Sequence, residues 1–335
     1  MTRSRRITLI SLAIALPIML AAAYGAWWQI LADRWRTGLE AWVGRVGAAG
    51  WIVSTGTVNV SGFPGTLRLA LYEPKAADAA GNGWAGPPMT LMVSPFDPLD
   101  PRFAVPGHQI VTLASHAPVE IEAATLEGQV TIRGHGPVAI TLTGAKLASQ
   151  DMTLEGLTLD ARGSPPPAEG QIATPLVATI GIDRLTLPET LRLPLDRTVA
   201  AAHAAIRLRG TVPRGQPATA LAAWRDGGGT VEIDSLDINW PPLVAAGNAT
   251  VALDKDLQPE LAGAMTMRGA DKAIDRAAAA GMLTPNAATL GKLYVGAAGK
   301  PVADGTFEVT LPLSLQNRSL SVGPVPLVQL PEIEW

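Results

Sequence analysis

Four histidines, two closely spaced aspartates and one triple glycine are the residues whose type and spacing could carry chemistry in this chain. His108, His116 and His135 fall in one stretch, and imidazole is a good zinc ligand. Zinc sites need ligands in short spacings, commonly two histidines about three to five residues apart, with cysteine often completing the set. These spacings do not match, and the chain has no cysteine. His108 and His135 each neighbour a glycine, as turn residues do, and His203 sits in an alanine-rich patch.

Asp97 and Asp100 lie in Pro95-Phe96-Asp97-Pro98-Leu99-Asp100-Pro101. Two such carboxylates can pair for acid–base work or help to hold a hard cation. Asp-Pro steps initiate turns, and a turn is the simpler reading. No Gly-x-Ser-x-Gly elbow is present to carry a nucleophilic serine. Gly227-Gly228-Gly229 lacks the lysine and hydroxyl residue that would make it a phosphate loop, and reads as a turn into a strand. The residues thus nominate no catalytic, metal or cofactor site, and the expectation is a protein that is not an enzyme.

The elements around these residues are more telling. Arg3, Arg5 and Arg6 precede an uncharged run from Ile7 to Trp28. At ~1.5 Å per residue that run reaches about 33 Å as a helix, against about 30 Å of bilayer hydrocarbon. It is expected to be an uncleaved single-pass anchor, since a cleaved signal peptide has a shorter apolar stretch. Residues 1–6 then form a cytoplasmic tail, because basic flanks stay inside, and everything after the run is exported. Pro17 falls mid-run, where a membrane helix tolerates it. Tyr24, Trp27 and Trp28 end the run, where amphipathic rings favour the headgroup layer.

Over residues 29–50, Ile30, Leu31, Trp35, Leu39, Trp42, Val43 and Val46 recur at helical spacing with charges between them. This predicts an amphipathic helix that continues the anchor, ends near Gly47 or Gly50, and packs its stripe on the sheet that follows.

The period then becomes two. Trp51–Val60 and Thr66–Tyr72 read as a hairpin around Ser61-Gly62-Phe63-Pro64-Gly65. Gly62, Phe63 and Pro64 are expected to shape that connection, with Phe63 buried. In the second strand Leu67, Leu69 and Leu71 share a face. They are expected to join Ile132, or Val130, and Ile140 with Leu142 in one apolar surface. A loop is predicted from Glu73 to Pro88. Strands follow at 90–93, 109–115, 119–124, 128–133, 138–143 and 154–160. Thr125-Leu126-Glu127-Gly128 and Thr153-Leu154-Glu155-Gly156 form a weak two-copy repeat, short of the three a solenoid needs.

Ser164-Pro165-Pro166-Pro167 separates an N-terminal half, 51–163, from a C-terminal half, 164–335, which can equally be one continuous domain. The second half has strands at 176–187, 204–211, 230–239, 248–253, 262–268, 305–313 and 319–322. A helical patch is predicted around 196–205, and helices at 271–280 and 286–297, the last started by Pro285. The predicted class is mainly β: an elongated, curved antiparallel sheet with one N-terminal transmembrane helix and a few short helices. Gly and Pro number 34 and 28 and Phe only 4, which fits short strands and tight turns. An outer-membrane barrel would need aromatic girdles that so few rings cannot make.

The anchor, the Trp-bearing helix, Val60-Ser61-Gly62-Phe63-Pro64 and the late Gly323-Pro324-Val325-Pro326-Leu327 with Leu330-Pro331 together resemble an uncharacterised family of membrane-anchored bacterial proteins, domain of unknown function 2125. The resemblance covers nearly the whole chain. The part from Asn248 to Leu330 also resembles envelope proteins of the AsmA type, which are implicated in handling lipids on curved sheets. Neither resemblance supplies catalytic residues.

The chain carries 26 basic and 29 acidic residues, and three of the basic ones are Arg3, Arg5 and Arg6. The part beyond the anchor is therefore acidic, which speaks against nucleic acid as a partner. The resemblance and the anchor imply a bacterial inner-membrane protein with its bulk in the periplasm and membrane lipids or other envelope proteins as partners. Two functions follow: an amphiphile-binding protein with an apolar groove open to solvent, or an interaction scaffold with a filled core.

Overall fold

The structure, a computed structural model, describes residues 3–48, 50–114, 117–133, 136–163, 175–191, 195–211, 213, 217–302, 307–323, 325–333 and 335. It is mainly β, with antiparallel pairing throughout, four helices and two compact units. One unit holds Met1–Glu122 with Leu126–His135; the other holds Ala123–Thr125 with Gly136–Trp335.

The first unit opens on α1, Arg3–Ala48, a single helix of 46 residues that runs through Pro17 without a break. The anchor run and the amphipathic run are thus one element, as the unbroken spacing of apolar residues predicts. Among the described residues α1 alone is long and apolar enough to cross a membrane. Eight strands follow: β1 (Ile52–Ser54), β2 (Val58–Ser61), β3 (Leu67–Leu71), β4 (Lys75–Ala77), β5 (Gly83–Ala85), β6 (Met89–Ser94), β7 (Asp97–Ala104) and β8 (Gly107–Thr112). One ladder runs β1–β4–β5–β8. Another runs β2–β3–β6–β7 and continues to β9 (Val119–Arg133).

The core of this unit lies between α1 and β3. Leu67 and Leu69 are fully buried and Leu71 nearly so, while Arg68 between them is exposed. Trp28, Leu31 and Ala32 of α1 close over them, with Val93 of β6 beside them and Trp35 and Leu39 at the margin. The alternation of β3 and part of the helical stripe of α1 are two halves of one core: of the predicted stripe, Leu31, Trp35 and Leu39 pack there, while Ile30 and Trp42 stay exposed.

The second unit contains β10 (Gly136–Ser149), β11 (Met152–Gly163), β12 (Leu176–Thr186), β13 (Thr198–Arg209), α2 (Pro217–Asp226), β14 (Thr230–Trp240), β15 (Leu243–Leu253) and β16 (Pro259–Arg268). Then come α3 (Ala270–Ala279), α4 (Pro285–Ala298), β17 (Lys300–Pro301), β18 (Phe307–Gln316), β19 (Ser319–Val322) and β20 (Val325–Gln329). The ladder runs β10 through β16 in sequence order, then β18, β19 and β20, and no described pairing returns from β20 to β10. Helix α4 starts as predicted: Pro285 sits at its first position, and the Ala287 amide donates to the Thr284 hydroxyl at 3.2 Å.

Several predicted elements change. The helical patch around 196–205 is part of β13, because pairing with β12 on one side and β14 on the other outweighs the helix propensity of its alanines. The predicted loop 73–88 contains β4 and β5. Asp97 and Asp100 lie in β7, not in a turn; the turn is Pro95-Phe96 just before it. Residues 119–124 and 128–133 form one strand, β9.

Candidate functional site

In the second unit the register of the long strands brings apolar residues into line. One row crosses the sheet as Leu142, Leu159, Ile180, Ala204, Leu236, Gly247, Met265 and Leu311. Two residues along, the next row is Ile140, Ala161, Ala178, Ile206, Ile233, Ala249, Gly263 and Leu313. On the other side of the first row lie Gly144, Leu157, Ile182, Ala202, Ile238, Ala245, Met267 and Val309. A further row joins Leu176, Leu208, Val231, Val251, Leu261 and Leu315. Residues two apart in a strand share a face, so these four rows form one surface without a polar side chain.

The intervening residues, among them Thr141, Asp160, Thr179 and His203, occupy the opposite face. There Arg207 bridges to Asp234 across β13 and β14, with Nε 2.6 Å from Oδ2. A bulge at Asp234 and Ser235 keeps Ile233 and Leu236 on the apolar side.

Cover over this apolar face is partial. Helices α3 and α4 close it over β15, β16 and β18, where Ala245, Met267, Val309 and Leu311 are buried with Ala270 and Val295. Over β10, β11 and β12 the large side chains stay half-buried or exposed, with Ile140 at 36% and Leu176 at 39%. The face ends in a cavity of about 280 Å³ whose lining residues are all apolar. Leu208, Val231 and Val251 of the outermost row make its floor; Leu221 and Trp224 of α2 and the C-terminal Ile333 and Trp335 make its walls.

The walls are held by polar contacts that point away from the cavity. The Trp224 indole donates to the Arg209 carbonyl at 2.8 Å, and the Trp335 indole to the Leu257 carbonyl at 2.8 Å. The buried Gln258 side chain exchanges two hydrogen bonds with the Ile333 backbone, at 3.0 and 2.9 Å. The lining presents no titratable side chain, and its character is that of an apolar surface.

The other residues singled out from sequence fall elsewhere. Leu67, Leu69 and Leu71 are core beneath α1, and half-buried Ile132 on β9 is not among the residues packed there. The single apolar surface expected of these residues together with Ile140 and Leu142 is therefore corrected. The three leucines are roofed by a helix in the first unit, whereas Ile140 and Leu142 belong to the face of the second. The burial expected of Phe63 is also corrected: it is 57% exposed, because it sits beyond the last ladder pair, Ser61 with Arg68, at the tip of the hairpin. Gly62 does shape that tip. Its φ is +108°, and a Cβ there would lie 2.0 Å from the Thr66 carbonyl oxygen.

At the end of the anchor run, Tyr24 is half-buried and Trp27 partly exposed, but Trp28 is enclosed in the core. Arg3, Arg5, Arg6 and Ile7 belong to α1. His108 reaches only Glu122, at 3.7 Å on the surface, and His203 is exposed. His116 and His135 lie outside the described residues. Among the described residues no group of three metal-ligating side chains assembles.

Asp100 has a structural role. It accepts from the Thr131 hydroxyl at 2.5 Å and from Arg133 at 3.2 Å, tying β7 to β9. The Thr131 hydrogen bond, with a smaller contribution from Arg133, holds its carboxyl below the usual carboxylate range. A lowered folded-state pKa stabilises the fold above the unfolded value of about 3.9 and loses that contribution as pH falls through the folded value. The melting temperature should therefore drop as the pH falls below about 4, and drop less in Asp100→Asn. Identical acid profiles for the two proteins would show that this contact is not felt.

An open antiparallel sheet with one long apolar N-terminal helix and a broad apolar face defines a helix-led β protein. The chain belongs to the bacterial family described as uncharacterized protein conserved in bacteria (DUF2125), which it matches over residues 28–331. The match begins at Trp28 and so takes in the packed half of α1. The chain matches no curated protein and no solved structure. The likeness of the C-terminal part to AsmA-type proteins gains no support from these comparisons.

Proposed function

We propose that this is a single-pass protein of the bacterial envelope that shelters an acyl chain of lipid, or another amphiphile, on the apolar face of its second unit. In this reading α1 crosses the inner membrane, Arg3, Arg5 and Arg6 stay on the cytoplasmic side, and the units stand in the periplasm. The observation that carries the reading is the continuity of four apolar rows with an apolar cavity at their end. Soluble monomers rarely leave more than a few hundred Å² of contiguous apolar surface exposed. Each buried methylene contributes about 0.8 kcal/mol, so six of them against this face supply roughly 5 kcal/mol.

The test is mass spectrometry of lipid that co-purifies with the full chain extracted in mild detergent. Ile180 stands at the middle of the face and is half-buried. Ile180→Arg should remove most of the bound lipid while circular dichroism and melting stay close to those of the parent. If the parent carries no more lipid than an unrelated single-span protein in the same detergent, the reading fails. An interaction scaffold without a small-molecule ligand then takes its place. A variant that unfolds is replaced by Ile140→Arg, whose side chain lies at the exposed end of the same face.

A further inference from the structure

The bare part of α1 stops where the apolar run stops. Every residue from Ala15 to Ala23 is exposed, including Leu16, Ile18, Met19 and Leu20, and cover begins at Tyr24. That cover comes from the tips of two hairpins. The β2–β3 tip accepts hydrogen bonds from α1 at the Pro64 carbonyl, from the Tyr24 hydroxyl, and at the Gly65 carbonyl, from the Trp28 indole at 2.9 Å. The β6–β7 tip accepts one at the Pro95 carbonyl, from the Trp27 indole at 3.0 Å.

Each tip also carries a phenylalanine whose ring meets a ring of the helix and is otherwise largely exposed. Phe63 is edge-on to Trp28 with centroids 5.5 Å apart and stays 57% exposed. Phe96 stacks on Tyr24 at 6.0 Å and is 86% exposed. A ring left that bare at the tip of a turn adds nothing to a core, and two of them flank the last turn of the apolar run.

We propose that Phe63 and Phe96, with Tyr24 and Trp27, form an aromatic collar that sinks the two hairpin tips into the headgroup layer of the bilayer that α1 crosses. The inference rests on the membrane-spanning reading of α1. The occupant is argued from continuity: the collar is the next exposed apolar surface along the helix after the bare segment, within about 6 Å of axial rise between Tyr24 and Trp28. Aromatic rings with a polar handle favour this layer, and uncharged Ser61-Gly62-Phe63-Pro64-Gly65-Thr66 can enter it without desolvating a charge. Exposed Asp97, next to Phe96, limits that tip to the interface, because a carboxylate in hydrocarbon is costly. Two ring contacts and three hydrogen-bonded carbonyls set the unit at one height on its helix, so it meets the membrane surface in one orientation.

Because the chain has no cysteine, a single introduced one can be labelled uniquely. Full-length Phe96→Cys, Phe63→Cys, Leu16→Cys and Ala80→Cys, each carrying an environment-sensitive fluorophore, are reconstituted in phosphatidylethanolamine–phosphatidylglycerol vesicles. Lipids spin-labelled either at the headgroup or deep in the acyl chain serve as quenchers. The labels at 96 and 63 should be blue-shifted and quenched by the headgroup probe, the label at 16 by the deep probe, and the label at the exposed turn residue 80 by neither. If 16 is quenched but 96 and 63 behave like 80, the anchor stands and the collar falls. If 96 and 63 are shielded from aqueous iodide yet unquenched by either lipid, a protein surface covers them and the collar also falls. If 16 itself escapes the deep probe, the spanning reading fails and takes the collar with it.

Discussion

Leu69→Ala is expected to destabilise the first unit by about 2–5 kcal/mol, the range for truncating a leucine in a packed core. The residue is fully buried on β3, which is paired on both sides, and stands beside Val60 of β2 and Leu91 of β6. Above it lie Trp28 and Leu31 of α1, so the void would open at the join between helix and sheet rather than at an edge that can collapse. The loss should appear in hydrogen exchange as faster labelling of β3 and of α1 beyond Trp28, with the second unit unchanged. Arg68→Ala on the outward side of the same strand should stay within about 0.5 kcal/mol of the parent, as surface substitutions usually do. Equal effects of the two would mean that α1 does not close this core.

Trp224→Ala should have a comparable effect, about 3–5 kcal/mol, concentrated on α2. This tryptophan is the one large side chain that α2 buries against the sheet, and its indole is fixed by the Arg209 carbonyl. Its ring lies so close over Gly229 that a Cβ there would come within 2.3 Å of it. Removing the ring and adding a methyl at residue 229 are opposite insults to one contact. Both should release α2 and widen the cavity floored by Leu208, Val231 and Val251. The check is exchange protection of the α2 amides together with the amount of co-purifying lipid. If α2 remains as protected in Trp224→Ala as in the parent, other contacts hold that wall and the cavity's form does not depend on the indole.

Much of this architecture was legible in one sequence because it is written in local periods. The uncharged run from Ile7 to Trp28, the helical stripe through Leu39 and the alternation Leu67-Arg68-Leu69-Ala70-Leu71 each specify an element from neighbours a few residues away. Pro285 and Thr284 mark the start of α4 in the same way. The first half of strand β13 escaped, although 204–211 was read as a strand, because its alanines favour helix in isolation and become strand only through β12 and β14, which are distant contacts. Strand β7 escaped because Pro98 and Pro101 argue against a strand. The register explains them: β7 pairs with β6 at Asp97 and again from Arg102, and the prolines fall in the stretch between. Helix α2 had a usable signal, Pro217 at its first position and Gly227 just past its end, that a search for apolar stripes alone passes over.

The candidate site was legible only strand by strand. Ile140 and Leu142 can be assigned to one face from alternation, but alternation says nothing about which residue of the next strand stands opposite. Whether a face is roofed is likewise a tertiary fact. Leu67, Leu69 and Leu71 share the pattern of Ile140 and Leu142, yet one set is core and the other is open. Phe63 misled for a related reason: a lone large ring in a Gly/Pro turn looks like a plug, and here it rests on the side of a helix.

The unbroken course of α1 has a mechanical consequence. At ~1.5 Å per residue its 46 residues make a rod of about 69 Å, held to a folded unit between Tyr24 and Leu39 and bare from Ala15 to Ala23. Helices that are longer than the hydrocarbon is thick relieve the mismatch by tilting. If α1 crosses a bilayer as proposed, a thinner one would make it lean, and the unit fastened to it would lean with it. Local bilayer thickness would then become a setting for the attitude of the whole first unit.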